Sequence, residues 1–151
     1  VASAALERAE KTGLPASAIE LPDGRVITGK TSPLLGASAA VLLNALKALG
    51  GIQHDILLIS PIIIEPIQNL KIKHLGNHNP RLHSDEVLIA LCISAATNPT
   101  ADLALKQLAK LKGCEAHSSV ILSQVDDSVF RKLGMNLTCE ARYQSRKLYH
   151  K

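Results

Sequence analysis

The order of secondary-structure patterns is the feature that most constrains the fold of this chain. Apolar residues at 19–21 and 25–28 flank Pro22-Asp23-Gly24, and this combination predicts a β-hairpin. Helical and strand patterns alternate after the hairpin, and such alternation is typical of a mixed sheet with helices on both of its faces. The sequence therefore predicts an α/β fold with a mixed sheet of about five strands.

The individual elements follow from the spacing of apolar residues and from capping signals. Ser32 can cap a helix and Pro33 suits a first helical turn, so the longest predicted helix runs from these residues to about Leu49. The continuous apolar run 56–59 predicts an interior strand that is buried on both faces. The other predicted helices cover 2–12, 66–74, 85–96, 100–112 and 126–133, and the other predicted strands cover 114–123 and 137–140.

Aliphatic side chains must fill the core, because 46% of the residues are hydrophobic but only 2% are aromatic. A length of 151 residues suits one domain. Because the chain starts at Val1 rather than at Met and enters helical sequence at once, we expect a single α/β domain that is a fragment or a processed product of a longer protein. In that interpretation residues 1–18 form a helical lead-in from a missing N-terminal region, and residues 142–151 form a basic tail.

Three features predict a cytoplasmic protein without a membrane partner. The longest apolar stretch, 56–64, contains Ser60 and Pro61 and is too short to span a bilayer. The first segment lacks the basic head and apolar centre of a signal peptide. The three cysteines are too few and odd in number for a disulfide framework, which fits a reducing compartment.

The net charge of +4 comes from the tail rather than from the body of the domain. Residues 142–151 hold four basic side chains and no acidic one, whereas the preceding chain is neutral. Nucleic-acid binding requires a basic stripe across a folded face. We therefore expect no nucleic-acid partner.

A phosphate-loop pattern, G-x-x-x-x-G-K-[ST], is present at 24–31. Its spacer residues resemble a strand, and Val26 and Ile27 resist the positive φ angles that such loops use. A weaker hypothesis is that Lys30, Thr31 and Ser32, between a strand end and a helix start, bind an anion. The alternative is an ordinary capped helix with a solvent-facing lysine.

The most polar loop of the chain covers 77–86 and offers a second candidate site. Arg81 has paired donors that suit a carboxylate or a phosphate. His78 and His83 are candidate acid–base groups near neutral pH. The alternative is that Asn79-Pro80 forms a turn and that the histidines are ordinary surface residues.

The third candidate lies at 113–119, where Cys114 and His117 suggest a metal ligand pair or a nucleophile. In a strand these two residues lie on opposite faces, whereas Glu115 and His117 share one face and form a better acid–base pair. The alternative is a histidine that is hydrogen-bonded within the fold. The chain also lacks the H-E-x-x-H and P-C-x-x-C motifs, so we predict no metal site.

Several strings together resemble the C-terminal part of a bacterial family of uncharacterised proteins. The family is a domain-of-unknown-function family that is sometimes labelled an ATP-dependent zinc protease, and the likeness runs from Ile19 to His150. It implies a missing N-terminal region and a three-layer α/β/α sandwich similar in topology to cytidine deaminases. The resemblance brings no established reaction, so it assigns no catalytic residue and leaves the cofactor unknown, and the chain has no zinc-binding helix that would fit the protease label. The strings are 28–32, 34–38, 58–61, 64–68, 79–91 and 113–123.

Two functional hypotheses follow. In the first, the domain is a ligand-binding or assembly module that completes an anion or nucleotide site with the missing N-terminal region. A phosphate-bearing small molecule would then contact Lys30, Thr31, Ser32, Arg81 and His83. In the second, the domain is part of a hydrolase or transferase whose acid–base groups are His83, Glu115 and His117.

The two hypotheses depend on whether the 28–32 loop, the 77–86 loop and His117 meet in space. The apolar run 62–64 adds a separate expectation about assembly. If these isoleucines are exposed, they mark contact with the missing region or with another subunit, and we expect a homo-oligomer.

Overall fold

The computed structural model describes residues 1–141, so the predicted basic tail lies outside the described residues. A π-helical turn, Leu70–His74, follows the third helix directly, and a 3-10 turn, Leu108–Leu111, follows the fifth. The remaining elements are α1 (Ala2–Thr12), β1 (Ala16–Glu20), β2 (Val26–Lys30), α2 (Ala37–Leu49), α3 (Pro61–Asn69), α4 (Ser84–Ala95), α5 (Pro99–Leu105), β3 (Glu115–Ser118), α6 (Gln124–Lys132) and β4 (Asn136–Cys139).

The strands of the described residues form one mixed sheet in the order β2-β1-β3-β4. β1 is antiparallel to β2 and to β3, and β3 is parallel to β4, with α6 between them in the sequence. The prediction of an α/β fold with a mixed sheet is confirmed. The sheet has four strands within residues 1–141, not five.

The predicted hairpin is confirmed, and its turn follows from the residue types. Gly24 has φ +91°, a value that favours glycine, and the Asp23 carboxylate accepts the main-chain N–H of Arg25. The core is aliphatic as predicted. The largest fully buried side chains include Leu42, Leu46 and Phe130. Phe130 is the single phenylalanine of the chain.

The predicted strand at 56–59 is wrong. The segment pairs with no strand among residues 1–141; it leaves a turn in which Ile56 N–H donates to the carbonyl of Gln53. Leu58 and Ile59 are buried although Ile56 and Leu57 are exposed. An apolar run alone reports burial, not extended conformation, and here two of its four residues reach the core from irregular chain.

Two predicted helix starts are also wrong. α2 begins at Ala37 because the Ser32 hydroxyl instead accepts the N–H groups of Leu34 and Leu35 in a local turn. α3 begins at Pro61 rather than at Pro66, since Ser60 caps it at Ile62 N–H. The strand predicted over 114–123 ends at Ser118.

The isoleucine run 62–64 lies in the first turns of α3, and its three side chains differ in exposure. Ile62 is 78% exposed and Ile64 is 3% exposed. Only one member of the run is therefore a strongly exposed apolar residue. Within residues 1–141, no helix combines the length and the apolar character needed to cross a bilayer.

Candidate functional site

Three helices, α2, α4 and α6, begin around one small cleft of about 40 Å³, here called the helix-start cleft. Such a volume holds a few waters or one small polar group. Helix N-termini carry partial positive charge and N–H groups that lack intrahelical partners. The residues that matter for its chemistry are Gly36, Ala37, Ser38, Arg81, His83, Ser118, Ser123 and Asp126.

The starts of α4 and α6 are satisfied by side chains of the protein itself. Asp126 Oδ1 accepts from the N–H of Ser84 at 2.8 Å and from its hydroxyl at 2.6 Å. Glu86 Oε1 accepts the N–H of His83 at 2.8 Å. Ser123 Oγ accepts the N–H of Asp126 at 3.2 Å. These two helix starts therefore have little capacity left for a ligand.

The start of α2 differs from the other two. Its N-cap is Gly36, which has no side chain to offer, and no acceptor in residues 1–141 takes the N–H groups of Ala37, Ser38 or Ala39. Ser38 is only 2% exposed, so these amides are largely withdrawn from bulk water. A buried helix start without an acceptor is costly.

Arg81 stands beside this open helix start. Its Nε donates to the main-chain oxygen of Ser32 at 2.7 Å, and its terminal nitrogens donate to no group in residues 1–141. An isolated β-bridge between Leu35 and Leu82 fixes the backbone next to Arg81. In it the N–H of Leu82 donates to the carbonyl of Leu34, and the N–H of Gly36 donates to the carbonyl of Leu82. The guanidinium is thus anchored at one end and free at the other.

Lys71 does not line the cleft but holds the backbone of Arg81, which does, and the sequence analysis did not identify it. It lies in the π-helical turn with its side chain 4% exposed, and its Nζ donates to Glu86 Oε1 at 2.8 Å and to the Arg81 carbonyl at 2.6 Å. His83 Nδ1 lies 3.5 Å from the same Nζ and 3.3 Å from Glu86 Oε1. π-helical turns are rare and frequently occur at functional sites, but a five-residue turn of this kind cannot be recognised from sequence, so no sequence signal pointed to Lys71.

Glu86 is the acidic partner in this group. Burial acts to raise the pKa of Glu86, but the hydrogen bonds from Lys71 and from the His83 N–H outweigh it and lower the pKa below its usual value. Glu86 is therefore ionised at neutral pH, and it holds both Lys71 and the start of α4 in place.

The three predicted anion ligands at 30–32 lie in different environments. Ser32 meets Arg81 through its carbonyl, so the two predicted loops do converge. Thr31 is 3% exposed, and its hydroxyl has no hydrogen-bond partner in residues 1–141. Lys30 is exposed at the end of β2, does not line the helix-start cleft, and alternates with Gly29, which faces α2.

The phosphate-loop pattern at 24–31 has another explanation. Its spacer residues lie in β2 and its first glycine lies in the hairpin turn, so the loop that the motif requires is absent. A Cβ at Gly29 would lie 2.3 Å from the main-chain nitrogen of Val41. Glycine is required there because α2 packs directly against β2.

Glu115 and His117 do not join the cleft. His117 alternates along β3 with Ser118, which lines the cleft, so its side chain lies on the other face of the sheet. Its Nε2 meets Glu140 Oε2 at 2.8 Å and its Nδ1 meets Thr138 Oγ1 at 2.6 Å. Glu115 accepts from Asn136 instead. Both ring nitrogens of His117 therefore have partners, and its carboxylate is Glu140.

Cys114 has the character of a core residue. It is buried, its Sγ contacts the Lys110 carbonyl at 3.6 Å, and burial, together with the charge of Glu20, raises the pKa of its thiol. A raised pKa disfavours the nucleophilic thiolate. Among residues 1–141 no group of three or more His, Cys, Asp or Glu side chains is arranged to hold a metal ion.

Comparisons with known proteins agree on one family. Residues 1–149 match the family described as "Domain of unknown function DUF1846, C-terminal". Over its whole length the chain is 58% identical to a UPF0371 protein of Corynebacterium efficiens, 56% to one of Corynebacterium glutamicum and 55% to one of Streptococcus pyogenes.

The chain spans about 30% of the length of these relatives. Neither the family description nor the names of these relatives carries the zinc-protease label, which is therefore unsupported. The match across nearly every residue, with identities above half, decides the relationship. The chain belongs to the DUF1846 family, in which it corresponds to the C-terminal domain.

Proposed function

We propose that this domain is a ligand-binding module of a larger protein and that its helix-start cleft binds the anionic group of a phosphate-bearing small molecule. The observation that carries the proposal is the start of α2, where buried N–H groups have no acceptor in residues 1–141. Phosphate binds readily at such helix starts because the N–H groups and the helix dipole both favour negative charge.

Arg81 supports the same interpretation. Its terminal nitrogens are free among residues 1–141, and a guanidinium with two free nitrogens can bind a phosphate or a carboxylate through paired hydrogen bonds. Thr31 does not itself line the cleft; its N–H donates to the carbonyl of Pro15, which does, and its buried hydroxyl has no hydrogen-bond partner in residues 1–141. Ser32 orients Arg81 through its carbonyl rather than contacting the ligand.

The cleft has room for one charged group, not for a whole nucleotide. We infer that the rest of the ligand extends out of the cleft and is enclosed by the N-terminal region of the longer protein. Asp126 sets a limit on ligand charge, because its carboxylate also lines the cleft. Its charge is partly offset by the start of α4, to which it is hydrogen-bonded.

The test is a titration of the full-length protein with inorganic phosphate, followed by thermal unfolding and calorimetry. A ligand that binds only the folded state raises the unfolding temperature in proportion to the logarithm of its concentration. We expect Arg81→Ala to abolish this rise and Arg131→Ala, which removes an exposed arginine on α6 outside the cleft lining, to leave it unchanged. Equal responses of the two variants would refute the proposal.

Lys30→Ala belongs in the same series, because Lys30 is exposed and outside the cleft lining. If Lys30 contacts the outer part of the ligand, its removal weakens binding of a phosphorylated metabolite but not of inorganic phosphate. If Lys30 has no role, both titrations are unchanged.

One observation favours a second candidate function, a hydrolase or transferase. His83 lines the cleft beside Arg81 and so stands where an acid–base group would meet a bound phosphate ester. Should the full-length protein turn over such an ester, His83→Gln is expected to lower kcat far more than it raises KM. The proposed pair Glu115 and His117 lies on the other face of the sheet and would require a separate site.

Three broader proposals accompany this function. The whole domain is proposed to be a three-layer sandwich of cytidine-deaminase-like topology, the protein is proposed to be cytoplasmic, and it is proposed to form a homo-oligomer. The exposed Ile62 on α3 is the feature that supports an assembly contact.

A further inference from the structure

A second concavity of about 360 Å³ lies along β2, outside the helix-start cleft. It is formed by β2 on one side and by the second half of α2 and the loop 52–54 on the other, and it shares no residue with the cleft. Ile27 and Ile52 are among the apolar residues that line it. This edge groove is long enough to follow residues 25–28 of the strand.

β2 is an edge strand, and the hydrogen bonds at its two ends show which main-chain groups it leaves unused. The N–H of Leu21 donates to the carbonyl of Arg25 at 2.8 Å, and the N–H of Thr31 donates to the carbonyl of Pro15 at 3.0 Å. Because hydrogen bonding alternates along an antiparallel ladder, the main-chain N–H and C=O groups of Ile27 and Gly29 point toward β1.

The same alternation turns the N–H and C=O groups of Val26, Thr28 and Lys30 away from the sheet. An independent contact agrees with it, since the outward carbonyl of Thr28 accepts from Asn44 Nδ2 at 3.0 Å. A carbonyl oxygen accepts two hydrogen bonds, so Asn44 does not close this position to another donor.

We propose that an extended segment from the N-terminal part of the full-length protein adds to β2 as a fifth strand and lies in the edge groove. The chain spans about 30% of its relatives and corresponds to the C-terminal domain, so the larger part of those polypeptides lies outside the matched segment. Strand addition to a free edge satisfies the outward groups of β2 and covers Val26, which is 41% exposed.

Charge identifies the chemistry of the incoming strand. Arg25 and Lys47 line the edge groove and no carboxylate does, although Arg25 Nε is paired with Asp23 at 2.7 Å and Lys47 Nζ donates to the His54 carbonyl at 2.9 Å. Lys30 is exposed at the far end of the same edge. The added strand therefore carries acidic side chains on the side that faces α2.

Hydrogen exchange of the full-length protein, resolved to single amides, tests this inference. In a four-stranded sheet only the amides of Ile27 and Gly29 in β2 are protected, whereas a fifth strand also protects Val26, Thr28 and Lys30, by about 100-fold or more. Fast exchange at these three amides overturns the proposal. Protection that disappears on dilution also overturns it, because a second copy would then be the occupant.

Thr28→Pro provides the matching perturbation, since proline removes an N–H that the four-stranded sheet does not use. We expect it to lower the protection of Val26 and Lys30 while Ile27 stays protected. Thr28→Val, which keeps the N–H and the β-branched shape, is expected to change neither. Equal protection in the two variants overturns the proposal, and if Thr28→Pro unfolds the sheet, the wild-type exchange pattern alone decides. None of these readouts depends on phosphate binding.

Discussion

Arg81 Nε donates to the main-chain oxygen of Ser32 at 2.7 Å, across 49 residues of sequence. This contact joins the two loops in which sequence patterns predicted an anion site. Arg81 lines the same cleft as the uncapped start of α2, and its terminal nitrogens donate to no group in residues 1–141. The contact therefore turns two separate loops into one candidate site.

Gly36→Asp is expected to replace the ligand with a side chain of the protein. The backbone at Gly36 has φ −70° and ψ 163°, and a Cβ there would meet the Leu82 carbonyl at an ordinary 3.7 Å. Aspartate can cap α2 and should raise the free energy of unfolding without phosphate by about 0.5 kcal/mol. The phosphate-dependent rise in unfolding temperature should disappear.

Gly36→Ala is the matched control, because it adds the Cβ without adding an acceptor. It should retain the response to phosphate. If Gly36→Asp binds phosphate as tightly as the wild type, the start of α2 is not the binding site.

Asp126→Asn should strengthen anion binding. The asparagine carbonyl can still accept from Ser84, but the negative charge in the cleft is removed. We expect the phosphate Kd to fall by about five-fold at low ionic strength, and the gain to shrink in salt because charge interactions are screened. Weaker binding at all salt concentrations would mean that Asp126 contacts the ligand as an acceptor.

Glu86→Gln should change how stability depends on pH. The pKa of Glu86 is lowered from 4.5 in the folded protein, so its contribution is complete above that value and is lost as the pH falls through the lowered pKa. At neutral pH the variant should lose about 2 kcal/mol, because the buried Lys71 ammonium loses its charged acceptor. Denaturation curves from pH 7 to pH 3 should converge at the acid end, and parallel curves would contradict the assignment.

Gly29→Ala should destabilise the fold rather than weaken phosphate binding. A Cβ at 2.3 Å from Val41 N forces α2 away from β2, and overpacking of this kind costs about 3 kcal/mol. Urea denaturation measures this loss, with Gly36→Ala as the control, because a Cβ at Gly36 makes only an ordinary contact with the Leu82 carbonyl. A stable Gly29→Ala protein without phosphate binding would instead restore the phosphate-loop hypothesis.

Local signals account for what the sequence could predict of the fold. The hairpin at 22–24 and the end of the helix predicted over 2–12 depend on turn residues next to each other in the chain, and both were correct, with Gly13 at the C-cap of α1. The start of α2 was placed at Ser32 because its capping chemistry is real, but tertiary pairing of Leu35 with Leu82 uses that serine in a turn. Neighbours in sequence do not reveal such a partner.

The same distinction between local signals and tertiary contacts applies to the candidate site. Arg81 and His83 were predicted because a polar loop on an α/β scaffold is a frequent place for sites. Lys71 was missed because its side chain is turned inward by an irregular helix. His117 was predicted with the wrong carboxylate, since Glu115 shares its strand face while Glu140 reaches it from the end of β4.

The π-helical turn at 70–74 makes the length of this segment matter as much as its composition. Each residue added to or removed from a helix rotates everything beyond it by about 100°. A single-residue deletion that restored regular α-helix would therefore redirect Lys71 without altering any side chain of the cleft. For this site a one-codon deletion is a more drastic genetic event than a substitution, and natural variants that differ in length here should differ in ligand.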